Sequence, residues 1–123
     1  MVNLKRFNFL FAFVLVTFLS GFSSAEDHTV YVGTEDNPYV FSDANLVISP
    51  GDNVTFIWTV GQPHNVAQVE SASSNVYVSN GDIIFFYSGE PEDGATWVLN
   101  STYTQEEGTL YYICEPHAGL QMR

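Results

Sequence analysis

The single cysteine constrains this chain most, because two further metal-binding residue types follow it at short intervals. Cys114 is followed by His117 three residues later and by Met122 five residues beyond that, close to the end of the 123-residue chain. A second histidine, His64, lies far upstream between a proline and an asparagine. One thiolate, two imidazoles and one thioether are the donors of a mononuclear copper site with three ligands in a plane and a weak axial sulfur.

Each of these residues also has an ordinary structural interpretation when it is taken alone. A lone cysteine is usually a small buried apolar residue. A histidine beside an apolar strand is usually a core or surface residue, and Met122 lies at the end of the chain. The spacing of the cysteine, the two histidines and the methionine, taken together, favours a metal site over these ordinary interpretations. Three ligands from one short loop and a fourth from a distant segment suit a loop that a rigid β-scaffold positions.

The first 25 residues have the pattern of a signal peptide. Lys5 and Arg6 precede an apolar run from Phe9 to Leu19, and small residues follow up to Ala25. Such a charged start, short apolar stretch and small-residue site predict export, with cleavage after Ala25 and one domain over residues 26–123. The run of 11 residues is short for a membrane helix, which needs about 20. A retained N-terminal anchor stays open as the alternative.

Export to the periplasmic or extracellular side of the cell membrane agrees with a metal site at the single cysteine. An exported protein with one cysteine cannot form an internal disulfide, and metal ligation gives that residue a use.

The charge of residues 26–123 excludes one class of partner. This segment holds all fourteen Asp and Glu residues against a single basic residue, Arg123, which gives a formal charge of −13. Such a surface repels nucleic acid. It can steer basic protein partners, and the acidic cluster Glu90, Glu92 and Asp93 is a candidate docking site. The alternative is that these carboxylates only keep the protein soluble.

Short apolar segments with turn residues between them run along the whole of residues 26–123. Residues 54–60 alternate between apolar and polar side chains, as expected for a half-buried strand. The repeated pattern predicts an all-β sandwich without sustained helices. The predicted strands cover residues 29–32, 46–49, 54–60, 66–69, 83–87, 95–99 and 108–113.

Three segments resemble cupredoxins of the plastocyanin, amicyanin and halocyanin group. They are residues 45–56, the Pro63-His64-Asn65 segment, and residues 108–117. The resemblance implies an all-β, Greek-key β-sandwich that holds one copper ion cycling between Cu(I) and Cu(II). It implies that the copper ligands are His64, Cys114, His117 and Met122. By the same match, Asn65 tethers the ligand loops by hydrogen bonds near the cysteine sulfur, a kind of contact that tunes a metal.

The chain departs from this group in two places near its end. Gln121 stands where the group usually has glycine, and the chain stops at Arg123 where the group continues into a final strand. We expect either a C-terminally truncated sequence or a protein that lacks this last strand. Truncation is favoured, because loss of a strand exposes a sheet edge and the core.

The resemblance implies an electron carrier that passes single electrons between redox protein partners. Its electron port would be His117, and partners would dock through a small interface that allows quick release. We expect a monomer, which meets a membrane only if its leader is retained. The residues of the expected apolar docking patch are Pro63, Pro116, Ala118 and Leu120.

Two other functional classes compete with electron transfer. A copper carrier or buffer would use the same ligands for delivery, and it remains the alternative. An enzyme is not expected, because a multicopper oxidase needs many histidines and this chain has only His28, His64 and His117.

A second binding site is conceivable at the start of the mature chain. Cleavage after Ala25 would give an N-terminus reading Glu26-Asp27-His28. Its amine, two amides and histidine ring could wrap Cu(II) or Ni(II) in a square plane. The alternative is that His28 is a residue at a strand edge.

Overall fold

A computed structural model describes residues 24–77 and 85–123 of the chain, so nearly all of the predicted signal peptide lies outside the described residues. Five strands are present, namely β1 (Asp27–Tyr31), β2 (Asn53–Trp58), β3 (Ala67–Val69), β4 (Ala95–Leu99) and β5 (Tyr111–Ile113). Two short 3-10 helices span Ser101–Tyr103 and Glu115–Leu120. Within the described ranges, no helix is long and apolar enough to cross a membrane.

The strands form two sheets. In the larger one, β2 lies between β1 and β4, in parallel with β1 and antiparallel to β4. A parallel pair needs a long connection, and residues 32–52 supply it. In the smaller sheet β3 pairs antiparallel with β5, with Ala67 opposite Ile113. This architecture confirms the predicted all-β sandwich.

The core fills the space between the two sheets. Along β2, the predicted alternation is seen, since Val54, Phe56 and Trp58 are buried while the residues between them are partly exposed. The Phe56 ring meets Tyr112 edge-on, with ring centroids 5.4 Å apart. The same core cluster includes Cys114, so the sandwich carries the sulfur of the candidate site into its interior.

Three of the predicted strands are corrected by the structure. The strand predicted over residues 54–60 ends at Trp58, and Val60 is 80 % exposed. Residues 46–49 form no strand, because the Ser49 N–H donates to the Asp52 carboxylate at 3.0 Å rather than to a neighbouring strand. The strand predicted over residues 108–113 is shorter and begins at Tyr111. Part of the strand predicted over residues 83–87 lies outside the described residues, and Tyr87 forms an isolated bridge with Ala67.

The structure places His28 in the first strand of the domain. His28 lies within β1, where it pairs with Val54 of β2, and its ring nitrogen Nε2 lies 2.9 Å from the Asp52 carboxylate. The Asn53 N–H donates to the Glu26 carbonyl at 3.0 Å, so the backbone here belongs to the sheet. A square-planar chelate through these amides is therefore not the arrangement that the structure shows.

Candidate metal centre

The structure brings His64, Cys114 and His117 together at one end of the sandwich. The Cys114 Sγ lies 3.4 Å from Nδ1 of His64 and 3.4 Å from Nδ1 of His117. One donor atom from each of the three residues lies within 4.8 Å of the others, which is close enough to share one ion. Cys114 is fully buried, His64 is 2 % exposed, and His117 is partly buried.

Pairing of the smaller sheet explains why residues 50 positions apart meet. His64 lies three residues before β3, and Cys114 follows directly after β5, so the β3–β5 pairing sets the two side by side. The His64 backbone is also paired in both directions with Glu92 at 3.0 Å. His117 lies in the 3-10 helix after Cys114, and its N–H donates to the Cys114 carbonyl at 3.0 Å.

A tight turn brings the backbone of Met122 back to Cys114 and His117. Its side chain is fully buried in the same core cluster as Cys114. Its carbonyl accepts from the Cys114 N–H at 3.2 Å, and its N–H donates to the His117 carbonyl at 3.4 Å. The turn requires φ of 67° at Gln121, a left-handed conformation that glycine adopts without strain. This explains in physical terms why a glycine would suit that position.

Asn65 joins the two loops that carry the donor residues. Its side chain donates from Nδ2 to the Gly89 carbonyl at 3.0 Å and to Oε2 of Glu115 at 2.6 Å. Its Oδ1 accepts from the Glu115 N–H at 2.9 Å. Since Asn65 is fully buried and flanks His64, these three bonds fix the distance between the His64 segment and the segment after Cys114.

The protonation states of the cluster follow from its burial. Burial lowers the pKa of His64, and the neighbouring His117 lowers it further, while the Asp93 carboxylate acts in the opposite direction. Burial also lowers the pKa of His117. Burial raises the pKa of Cys114, partly offset by hydrogen bonds from the backbone of Asn65 and His117. At neutral pH both imidazoles are therefore in the neutral form that binds metals, and the thiol must lose a proton to do so.

Two neighbours of the cluster were not identified from the sequence. Gly33 has φ of 79°, and a Cβ there would lie 3.1 Å from the Pro38 carbonyl oxygen and 3.3 Å from Nε2 of His64. The Tyr39 ring packs against His117, with centroids 4.9 Å apart. Both residues lie some distance upstream of the ligand motifs, and the only sequence signal was a glycine soon after the first predicted strand.

The expected apolar docking residues are divided between surface and interior. Pro63 and Pro116 are exposed, and Leu120 is 58 % exposed. Ala118 is instead buried at 2 % exposure, in a cluster with β3 and β5. A partner therefore cannot contact Ala118 directly, since this residue supports the loop from beneath.

The acidic cluster lies beside the loop that carries His64. Glu90, Glu92 and Asp93 are all exposed. The backbone of Glu92 pairs with that of His64, and a carboxylate oxygen of Asp93 accepts a hydrogen bond from the Gly61 N–H. These negative charges are thus held close to the candidate site.

Residues 28–123 match the family of copper-binding proteins that comprises plastocyanin and azurin. The chain belongs to the plastocyanin/azurin family. The chain is 31 % identical to plastocyanin of Daucus carota over 98 residues, which cover 76 % of this chain and 92 % of that protein. It is 30 % identical to plastocyanin A/B of Petroselinum crispum, with the same coverage. The predicted cupredoxin resemblance is confirmed.

A solved structure agrees with the fold. A pseudoazurin from Sinorhizobium superposes with a TM-score of 0.51 at 24 % identity, covering 79 % of this chain and 68 % of that one. This cupredoxin has copper as its cofactor, as the sequence predicted: its family binds copper, and the cluster of two imidazoles and one buried thiol fits a type 1 centre.

Proposed function

We propose that His64, Cys114, His117 and Met122 hold one copper ion as a type 1 centre and that the protein is a single-electron carrier. The observation that carries this proposal is the buried cluster in which the sulfur lies 3.4 Å from both Nδ1 atoms. Two imidazoles and a thiolate with a weak axial sulfur are a compromise between the preferences of Cu(I) and Cu(II). Bound copper supplies the one-electron couple.

The surroundings of the cluster favour electron transfer because they hold the side chains still. Asn65 ties both loops together, and the backbone of Met122 is bonded to that of Cys114 and His117. Donors that keep their positions in both oxidation states need little rearrangement when the electron arrives or leaves. This rigid arrangement supports a carrier role in which no substrate is transformed.

Partners would approach through the surface around His117. The ring is partly buried, while Pro63, Pro116 and Leu120 are exposed and apolar. A patch of this kind can exclude water over a small area and still separate quickly, as brief redox encounters require.

The acidic cluster would orient a partner that carries basic residues. Neutralising Glu90, Glu92 and Asp93 together (to Gln, Gln and Asn) should slow electron transfer with a basic redox protein at low salt and weaken its salt dependence. A matched control neutralises the exposed pair Glu106 and Glu107, which lies on another loop. Equal slowing per charge removed in both variants would assign the effect to net charge alone, without a docking site.

For cellular location, we propose that residues 1–25 are removed and that residues 26–123 act as a monomer on the periplasmic or extracellular side of the membrane. The charged start and small-residue junction of the leader support export. Gel filtration of the exported protein tests the monomer, and cell fractionation tests the location.

A copper carrier or buffer is the competing function, and exchange rates separate the two. Cys114 is fully buried and His64 is 2 % exposed, so a chelator has poor access to the donors. We expect loaded protein to exchange electrons with a small oxidant far faster than it loses copper to a strong chelator. Copper loss at a rate comparable to electron exchange would instead support delivery.

A further inference from the structure

The buried carboxylate of Asp52, just before β2, forms hydrogen bonds with residues at the beginning of the domain. Asp52 is 3 % exposed. Its Oδ1 accepts from the Glu26 N–H at 2.9 Å, and its Oδ2 lies 2.9 Å from Nε2 of His28 and 3.0 Å from the Ser49 N–H. Glu26 itself is exposed, so the nitrogen end of this contact lies at the surface, where water screens charge in part.

The Asp52 carboxylate lies 2.9 Å from the His28 ring, which is the one side chain in the described residues that forms a salt bridge with it when protonated. The Glu26 N–H, followed by the His28 ring and the Ser49 N–H, lowers the pKa of the carboxyl group, so it is ionised at neutral pH. Within residues 24–77 and 85–123, Arg123 is the one Lys or Arg residue, and its guanidinium binds the Ala72 carbonyl and the Asn75 side chain instead. A buried charge is expensive unless it is paired.

The nitrogen of Glu26 is also the atom that leader removal would change. The sequence predicts cleavage after Ala25, and the structure shows Ser24 and Ala25 exposed ahead of β1. A peptidase would split the Ala25–Glu26 peptide bond with water, whose hydroxyl joins the Ala25 carbonyl carbon while its hydrogen goes to the Glu26 nitrogen. The new amine takes up a further proton at neutral pH and becomes an ammonium group.

We propose that cleavage between Ala25 and Glu26 creates an N-terminal ammonium group that binds the Asp52 carboxylate, so that leader removal completes the fold. The sequence signal for cleavage and the 2.9 Å contact at Oδ1 are independent observations, and both point to the same nitrogen.

This ion pair would secure several parts of the sandwich at once. Asp52 precedes β2, and its carbonyl accepts from the Thr104 hydroxyl at 2.6 Å, while the Gly51 N–H donates to the Thr104 carbonyl at 2.9 Å. Pairing the ammonium with Asp52 therefore links the start of β1 to the Ser49–Asp52 turn and to the segment after β4. Processed protein should be more stable than the same protein with its terminal charge removed.

The composition of the mature chain allows a selective test. Lys5 is the only lysine in the sequence, so a protein that begins at Glu26 has its terminal amine as the only primary amine. The full chain is produced in a cell that exports it, loaded with copper, and its start is read by mass spectrometry. Acetylation then removes one charge at a known atom, with hydroxylamine reversing any reaction at hydroxyl groups.

We expect the purified chain to begin at Glu26, and acetylation to lower its folded-to-unfolded ratio in urea by about three- to tenfold, as for a partly screened ion pair. The same treatment should have little effect in Asp52→Asn, whose amide cannot form the ion pair. The control Asp27→Asn changes a neighbouring exposed carboxylate and should respond as the natural sequence does.

If Asp52→Asn does not fold, the acetylation rate of the terminal amine in the natural sequence tests the proposal instead. In the natural sequence, the terminal amine should react with the acetylating reagent several-fold more slowly in the folded state than in urea, because the ion pair holds its proton. The proposal is overturned by a chain that begins elsewhere, by equal reaction rates in both states, or by equal destabilisation of the natural protein and Asp52→Asn.

Discussion

Replacing Asn65 by alanine tests how the fold holds the two ligand loops together. The change removes three hydrogen bonds, two to Glu115 and one to Gly89, from a side chain that is fully buried. Each such bond contributes about 0.5–1.5 kcal/mol net, and a buried partner left unpaired costs more. Since water can reach the partly exposed Glu115, we expect the free energy of unfolding to fall by about 2–4 kcal/mol.

The assay is urea unfolding of metal-free protein, followed by tryptophan fluorescence from Trp58 and Trp97. Metal-free protein is used because a ligand that binds only the folded state adds its own stabilisation. In copper-loaded protein, Asn65→Ala should also speed copper loss to a chelator, because the His64 segment is no longer tied to the segment after Cys114.

Glu115→Gln is the matched control for this prediction. The glutamine can still accept from Asn65 Nδ2 and leaves the backbone bond to Oδ1 in place, so only the negative charge is lost. We expect a loss of about 1 kcal/mol or less. If Asn65→Ala and Glu115→Gln unfold at the same urea concentration as the natural protein, the three bonds do not stabilise the loops as argued.

Three further predictions concern protons and one close backbone contact. Because burial keeps Cys114 as a thiol, Cu(II) binding near neutral pH should release about one proton, as read with an indicator dye, and Cys114→Ser should abolish the release. The pKa values of His64 and His117 are lowered by burial, so their contribution to stability is present above about pH 6.5 and is lost as pH falls through the folded values. The urea midpoint of metal-free protein should therefore drop between pH 7 and pH 5, and an unchanged midpoint would contradict this. Gly33→Ala should cost about 1–2 kcal/mol, measured by the same urea assay, because φ is 79° there, and it should alter the visible spectrum by displacing the His64 ring.

The sequence was sufficient to single out three side chains that the structure brings together, because their pattern is local or strongly marked. Cys114 directly precedes the short helix that contains His117, and the Pro63-His64-Asn65 segment precedes a strand that pairs with the strand before Cys114. Residue type and spacing therefore specify the candidate donors, and the sandwich only has to bring two segments together.

Other features of the structure depend on contacts between residues distant in the sequence, which the pattern of apolar and polar side chains does not reveal. Residues 46–49 are a short apolar run of the kind found in strands, but such a run does not identify a pairing partner. The contacts of Asp52 depend on β1 lying beside β2. Gly33 approaches His64 through a fold that no local pattern encodes.

The most direct test of the copper centre is a titration of metal-free protein with Cu(II), followed by visible absorption. We expect an intense band from sulfur-to-copper charge transfer that saturates at one equivalent, because the thiolate bonds the ion directly. Cys114→Ser should lose the band while circular dichroism shows that the β-sandwich is intact. A natural protein that binds one copper ion and stays pale would contradict the assignment of Cys114 as a ligand.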